Sequence, residues 1–257
     1  MLSIESRIPP RPGIIEPESL QSAERLRTDS TKSPIIEVIE IKAPKRINFA
    51  TEPVKMSFHK SQLKIPLKIS AYLCLAENRI GSGAVLPGDI FKAKNGKTVM
   101  VDNTDAEGRL VLSDGICAAA ENGATHIVDL ATLTGAMVRA LGPAITGYFT
   151  NDEELSQKIK AAGDATCEKF WQMPLEDEYA NELDDHYADL SNIGKSAGAI
   201  LAALFLREFV PEGIKWSHWD IAGTAYVERP WKYTTYGATG IGVQSLIELS
   251  RELGDKA

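Results

Sequence analysis

Cysteine is scarce in this sequence, and the three present, Cys74, Cys117 and Cys167, share no Cys-x-x-Cys spacing. An odd count without a framework excludes a disulfide-stapled secreted fold. Their apolar or helical surroundings predict reduced, mostly buried thiols of an intracellular chain. No apolar run approaches the roughly 20 residues that cross a bilayer. The start, Met1-Leu2-Ser3-Ile4-Glu5-Ser6-Arg7, lacks the apolar stretch of a secretory signal, and Glu5, Glu16, Glu18 and Glu24 make it too acidic for an organellar transit peptide. A cytoplasmic location without membrane contact is the expectation. Positive charge is short as well: 28 Lys and Arg against 35 Asp and Glu leave a net charge of -7 and a pI near 5.3. That balance argues against a nucleic-acid partner, whose phosphates need a basic surface. The four histidines show no HExxH pattern, and His126 and His218 fall in predicted strands as hydrogen-bonded core or rim residues.

Glycine is nearly missing from the first 62 residues, which hold Gly13 alone of the twenty glycines but seven of the thirteen prolines. Prolines at that density break long helices and central strands. A loose helix over residues 16–27 and a short strand over 35–41 are the elements expected there. The remainder of 1–62 reads as a poorly ordered segment, with a domain boundary at 62/63.

From residue 63 the pattern becomes that of a layered α/β domain, a central mixed sheet flanked by helices. Residues 68–75 alternate and then turn fully apolar, as a buried strand does. Residues 90–94 and 97–101 flank Asn95-Gly96, a strong hairpin signal. A helix over 109–121 is stopped by Asn122-Gly123. Strands are expected over 125–130, 144–150 and 214–221. Helices are expected over 135–141, from 152 to about 170, over 176–183, over 199–209 and over 239–253.

The chemistry concentrates in Asn103-Thr104-Asp105-Ala106-Glu107-Gly108-Arg109-Leu110. In an extended backbone, residues two apart share a face, so Asp105, Glu107 and Arg109 would converge on one small volume. Two carboxylates that close repel unless a proton or cation lies between them, and a divalent metal with hard oxygen ligands suits the place. Such an alternation by itself is commonly a solvated strand face or loop, and the small or turn-forming Asn103, Thr104, Ala106 and Gly108 suit a loop rather than a strand, with a helix starting straight after. The octapeptide, however, resembles the signature of the leucyl (cytosol) aminopeptidase family. Similar segments follow in the family's order: Leu75-Ala76-Glu77-Asn78, Pro87-Gly88-Asp89, Asn95-Gly96-Lys97-Thr98, Asp129-Leu130-Ala131-Thr132-Leu133-Thr134-Gly135-Ala136, Asp220-Ile221-Ala222-Gly223 and Gly237-Ala238-Thr239-Gly240. The resemblance covers residues 63–257.

The resemblance implies a two-metal exopeptidase that removes N-terminal residues, leucine-like ones preferred, from peptides. Mn²⁺ or Zn²⁺ would be held by Asp105 and Glu107, Glu107 bridging two ions. Arg109 would hold the bicarbonate that serves the family as proton shuttle, and its fork geometry suits a planar carbonate. Asn103, Ala106, Thr132, Leu133, Gly135 and Ala238 would bind substrate. The plainer readings are a strand-to-helix turn at residues 132–135 and a helix cap at Thr239. Asp220 is read as an outer acid rather than a ligand. Hexamers are the family's assembly.

One part of the family pattern has no counterpart. Upstream of the matching region the family carries a Gly-rich segment with metal-binding lysine and aspartates and a catalytic lysine. Residues 1–62 contain one aspartate, Asp29, in no such context. The expectation is therefore at most one divalent ion per chain and little activity of the chain alone. Two histories fit: a truncated or frame-shifted gene, or a degenerate paralogue kept as a non-catalytic assembly or interaction subunit.

Overall fold

The computed structural model describes residues 35–40, 54–57, 65, 67–75, 81–230 and 234–254. The helix expected over 16–27, Asp29 and His59 lie outside them. Strands β1 (Ile35–Glu40), β2 (Val54–Ser57) and β3 (Lys68–Leu73) open the sheet, and the apolar run at Ile35 is the strand its residues suggested. A hairpin follows, β4 (Ile90–Lys92) and β5 (Thr98–Met100), paired Phe91 to Val99. Its turn places Gly96 at φ +91°, a conformation open to glycine at little cost.

The chain then runs through α1 (Glu107–Glu121), β6 (His126–Ala131), α2 (Gly135–Leu141), β7 (Thr146–Thr150), α3 (Glu153–Thr166) and β8 (Phe170–Gln172). A 3-10 helix over Asp177–Leu183 precedes β9 (Leu190–Ser191), α4 (Gly198–Arg207) and β10 (Lys215–Asp220). A small ribbon, β11 (Tyr226–Val227) with β12 (Gly237–Ala238), and α5 (Val243–Gly254) complete it.

Seven strands form one mixed sheet in the order β2-β3-β1-β6-β10-β7-β8. Its centre, β3-β1-β6-β10, is parallel, whereas β2 and β7 run antiparallel to their inner neighbours. Both faces are covered, as a parallel centre requires. Period-two alternation divides the core: Ile127, Ala131 and Trp216 pack with α1 and α4 on one face, and Val128, Leu130 and Trp219 with α3 and α5 on the other. The expected central mixed sheet flanked by helices is the fold found.

Helices α3 and α5 differ most from their expected bounds. The helix expected to reach residue 170 ends at Thr166, where Cys167 turns left-handed at φ 60° and the chain doubles back over Gly163. A Cβ on Gly163 would lie 2.8 Å from the Glu168 carbonyl oxygen. The turn buries the Glu168 carboxylate, which accepts from the amides of Gly242 and Ser245, each at 3.1 Å, and so caps the start of α5. The last helix accordingly begins at Val243, after Gly240 and Gly242 at positive φ, and Thr239 is not its cap. The Thr239 hydroxyl instead donates to the Thr224 carbonyl and accepts from Ile241 N.

Candidate functional site

Met100 ends the hairpin, and the next six residues form a folded loop rather than an extended one. The Gly88 amide donates to the Val101 carbonyl at 2.8 Å, and the Val101 amide to the Asp89 carbonyl at 2.9 Å, pinning its start. The Asn103 side-chain oxygen then accepts from Asp105 N at 2.9 Å, a local turn that short polar side chains favour. Ala106 caps α1 without a side-chain bond, and Glu107 is already helical. The loop between hairpin and helix is the one its small, turn-forming residues suggested, and the extended geometry with a shared face is not adopted. Helix α1 starts at Glu107, two residues earlier than expected, and residues two apart on a helix do not share a face. Asp105, Glu107 and Arg109 still border one cavity, because a turn followed by a helix start brings them there.

Glu107 sits in the first turn of α1, where the unpaired amides of the helix favour an anion. Arg109 is 6% exposed, and its Nη1 donates to the Asn192 carbonyl at 2.9 Å. Its buried Nε has no hydrogen-bond partner among the described residues. Burial lowers the guanidinium to about 10 against the opposing pull of the Asp220 and Glu107 carboxylates, so it stays cationic at neutral pH.

The opposite wall rises from the C-terminal ends of the adjacent parallel strands β6 and β10, the usual place for ligands in such sheets. Asp220, at the end of β10, accepts from Leu133 N at 3.2 Å and from the Thr134 hydroxyl at 2.6 Å. That hydroxyl in turn accepts from Met137 N at 3.0 Å and caps α2. Asp220 therefore holds the turn from behind through these hydrogen bonds. A Cβ on Gly108 would lie 3.2 Å from Leu133 Cδ1, so this glycine lets the first turn of α1 approach the opposite wall.

Between the walls lies a cavity of about 600 Å³. Asn103, Asp105, Ala106, Glu107 and Arg109 line one side, and Thr132, Leu133 and Gly135 the other. Ala238 does not line it. It lies exposed on β12, paired with Tyr226 in the separate ribbon. The third wall was not foreseen in its role. Residues 189–198 read only as a polar loop, yet Ser196 lines the cavity and the fully buried Asn192 side chain hydrogen-bonds to the Asn103 loop. The Glu182 carboxylate fastens this wall by accepting from Lys195 N and Ser196 N, each at 2.8 Å, and from the Ser196 hydroxyl. The available sequence signal was a polar pair, Ser191-Asn192, set between the apolar Leu190 and Ile193.

Asp105 and Glu107 are hard oxygen donors of the kind that suit a divalent cation. Among the described residues no group of three or more His, Cys, Asp or Glu side chains is placed to hold a metal. The donor set fits a single, incompletely ligated ion.

Comparison with known proteins places the family and the fold. The family model for the catalytic domain of the cytosol aminopeptidase family matches residues 53–247, ten residues upstream of the boundary drawn from the motifs. A probable cytosol aminopeptidase of Gloeobacter violaceus is 48% identical over 187 residues, which are 72% of this chain and 37% of that protein. The chain thus spans less than two fifths of that relative's length. The bottromycin maturation enzyme BotP, solved in complex with Mn, superposes with a TM-score of 0.76 at 33% identity, covering 87% of this chain and 55% of that one. A tomato leucine aminopeptidase gives a TM-score of 0.72 at 32% identity, covering 87% and 45%.

Proposed function

The chain belongs to the cytosol aminopeptidase family, and from that premise we propose that it carries the acidic half of a metal-dependent aminopeptidase site that releases N-terminal residues from peptides. The observation that carries the proposal is the opening of Asp105 and Glu107 onto the same cavity as the Thr132–Gly135 turn. Asp105 and Glu107 would hold a divalent ion, Mn²⁺ or Zn²⁺, which supplies Lewis acidity and a water more acidic than bulk. Manganese is favoured by the BotP comparison.

The chain's own residues divide the remaining work. Arg109 presents a buried cation to an anion at the cavity, bicarbonate being the proposed one. Leu133 and Gly135 position the peptide, with Thr132 shaping the pocket for its first side chain. Asn103 and Ala106 line the entrance to the carboxylates. Ala238 would reach the substrate only from the β11–β12 ribbon. Cytoplasmic location and a hexameric assembly complete the proposal.

Hydrolysis of a leucyl anilide that requires Mn²⁺ or Zn²⁺ and disappears in Glu107→Ala is the expected result. Activity that survives both chelator and substitution overturns the assignment. With two carboxylates only, turnover by the chain alone should be far below that of an intact relative.

The alternative, an assembly subunit without catalysis, draws on the edge strand β8, where Trp171 is 61% exposed. An unpaired edge with an exposed aromatic favours pairing. Light scattering separates the readings: a clean monomer that does not bind an intact relative removes the second.

A further inference from the structure

Asn192 lies 89 residues from Asn103 in sequence, and no other fully buried polar side chain among the described residues makes comparable contact with the carboxylate-bearing loop. Its side-chain oxygen accepts from Asp102 N at 3.0 Å and Asn103 N at 3.2 Å. Its side-chain nitrogen donates to the Asn103 carbonyl at 2.7 Å and, more weakly, to the Ala106 carbonyl at 3.5 Å. The backbone of the same residue completes the clamp, since its amide donates to the Met100 carbonyl at 2.9 Å and its carbonyl accepts from Arg109 Nη1 at 2.9 Å. One residue thereby ties the end of β5, both flanks of Asp105, and the Arg109 side chain.

We propose that Asn192 is a positioning residue of the site, setting the placement of Asp105, Glu107 and Arg109 relative to one another. Three physical points carry it. An asparagine is the side chain that presents a donor and an acceptor from one short planar group, and both are used here on one strand of backbone. A carboxylate would keep the acceptor but face the Asn103 and Ala106 carbonyls with negative charge. The loop it holds has few other anchors, because Ala106 caps α1 with no side-chain bond and Asp105 is exposed. Residues behind a metal's direct ligands commonly govern its affinity by fixing those ligands in place. Ser191 reinforces the contact by donating its hydroxyl to the Asp102 carboxylate at 2.9 Å.

The role of Asn192 as a clamp stands on hydrogen bonds alone, while its effect on a cation rests on the proposed function. The test therefore has two readouts on the full chain. In hydrogen exchange, Asn192→Ala should lose protection at the amides of residues 102–106 by at least about tenfold, with the β6 and α4 amides little changed. In Mn²⁺ titration followed by the signal of free Mn²⁺, Asn192→Ala should bind about ten- to a hundredfold more weakly. Asn192→Asp should lose protection chiefly at the Asn103–Ala106 turn. Thr166→Ala, which breaks a hydrogen bond to Ser245 away from the cavity, is the control for general destabilisation and should leave both readouts unmoved.

Protection lost evenly across the chain, or unchanged at residues 102–106, overturns the clamp. Protection lost locally with Mn²⁺ affinity unchanged overturns its control of the carboxylates. Wild-type chain that takes up no Mn²⁺ overturns the proposed function instead, and the exchange result then still decides whether Asn192 orders the loop.

Discussion

His218 Nδ1 meets the Asp129 carboxylate at 2.5 Å across the paired strands β10 and β6, with both side chains fully buried. The second oxygen of Asp129 accepts from the Trp216 indole at 2.7 Å, and Phe149 stacks on the imidazole. Burial acts to lower the His218 value, but the charge and hydrogen bond of Asp129, aided by Asp220, prevail over burial and Arg109, and the net shift is upward. Its Nε2 has no hydrogen-bond partner among the described residues, so the charge is held from one side.

The pH dependence follows from that sign. A group whose folded value is raised above its ordinary 6.5 contributes stability that is fully present below 6.5 and is lost as pH rises through the folded value. The unfolding free energy should therefore fall as pH is raised above 6.5, with a limiting slope of about 1.4 kcal/mol per pH unit from this group, and thermal midpoints should fall with it. His218→Gln cannot charge and should flatten the slope. An equal slope in that variant assigns the dependence to other groups.

Gly223 and Gly147 should respond differently to alanine. A Cβ on Gly223 would lie 2.3 Å from the Gly142 carbonyl oxygen, which is backbone and cannot swing aside. At Gly147 the nearest atom is the Met137 thioether, whose flexible end can move. Gly223→Ala should cost about 1–3 kcal/mol and Gly147→Ala less, measured by chemical denaturation. The reverse order would contradict this account of the β10-to-β11 connection.

Asp220→Asn exchanges an acceptor at the Thr134 hydroxyl for an amide donor. That hydroxyl already accepts from Met137 N, so the new amide finds its lone pairs partly taken. The buried mismatch should cost about 1–3 kcal/mol and loosen the Leu133 amide, seen as faster exchange there. Unchanged exchange at Leu133 would show that the turn holds without Asp220.

Metal analysis after dialysis should find at most one divalent ion per chain. Two ions close together need several anionic ligands to offset their repulsion, and the described cavity offers Asp105 and Glu107. Two tightly retained ions would mean that further ligands complete the site.

Much of the scaffold was legible because its signals are local. Asn95-Gly96 marked the hairpin, and Thr134 with Gly135 marked the start of α2 at the residue where it begins. The Thr132–Gly135 turn and the acidic loop were legible as motifs. What escaped depended on distant partners. The end of α3 at Thr166 is decided by Glu168 reaching α5, more than seventy residues on. Asn192 looked like any loop asparagine, since its partners lie about ninety residues earlier. The loop carrying Asp105 was legible from its small, turn-forming residues, but the helix start at Glu107 rather than Arg109 was not, because Ala106 carries no capping side chain to mark it.

The separation between Asn192 and the acidic loop also orders events during synthesis. The loop leaves the ribosome some ninety residues before its clamp, so in the nascent chain the Asn103 and Ala106 carbonyls lack the Asn192 amide donor, and the Asn103 carbonyl has the local Ala106 amide at 3.2 Å. Joining segments that far apart carries a loop-closure entropy that only the later packing of β9 and α4 offsets. The cavity is thus among the last parts of the domain to take shape, and a ribosome-bound chain halted before residue 190 would display the signature octapeptide without its ordered geometry.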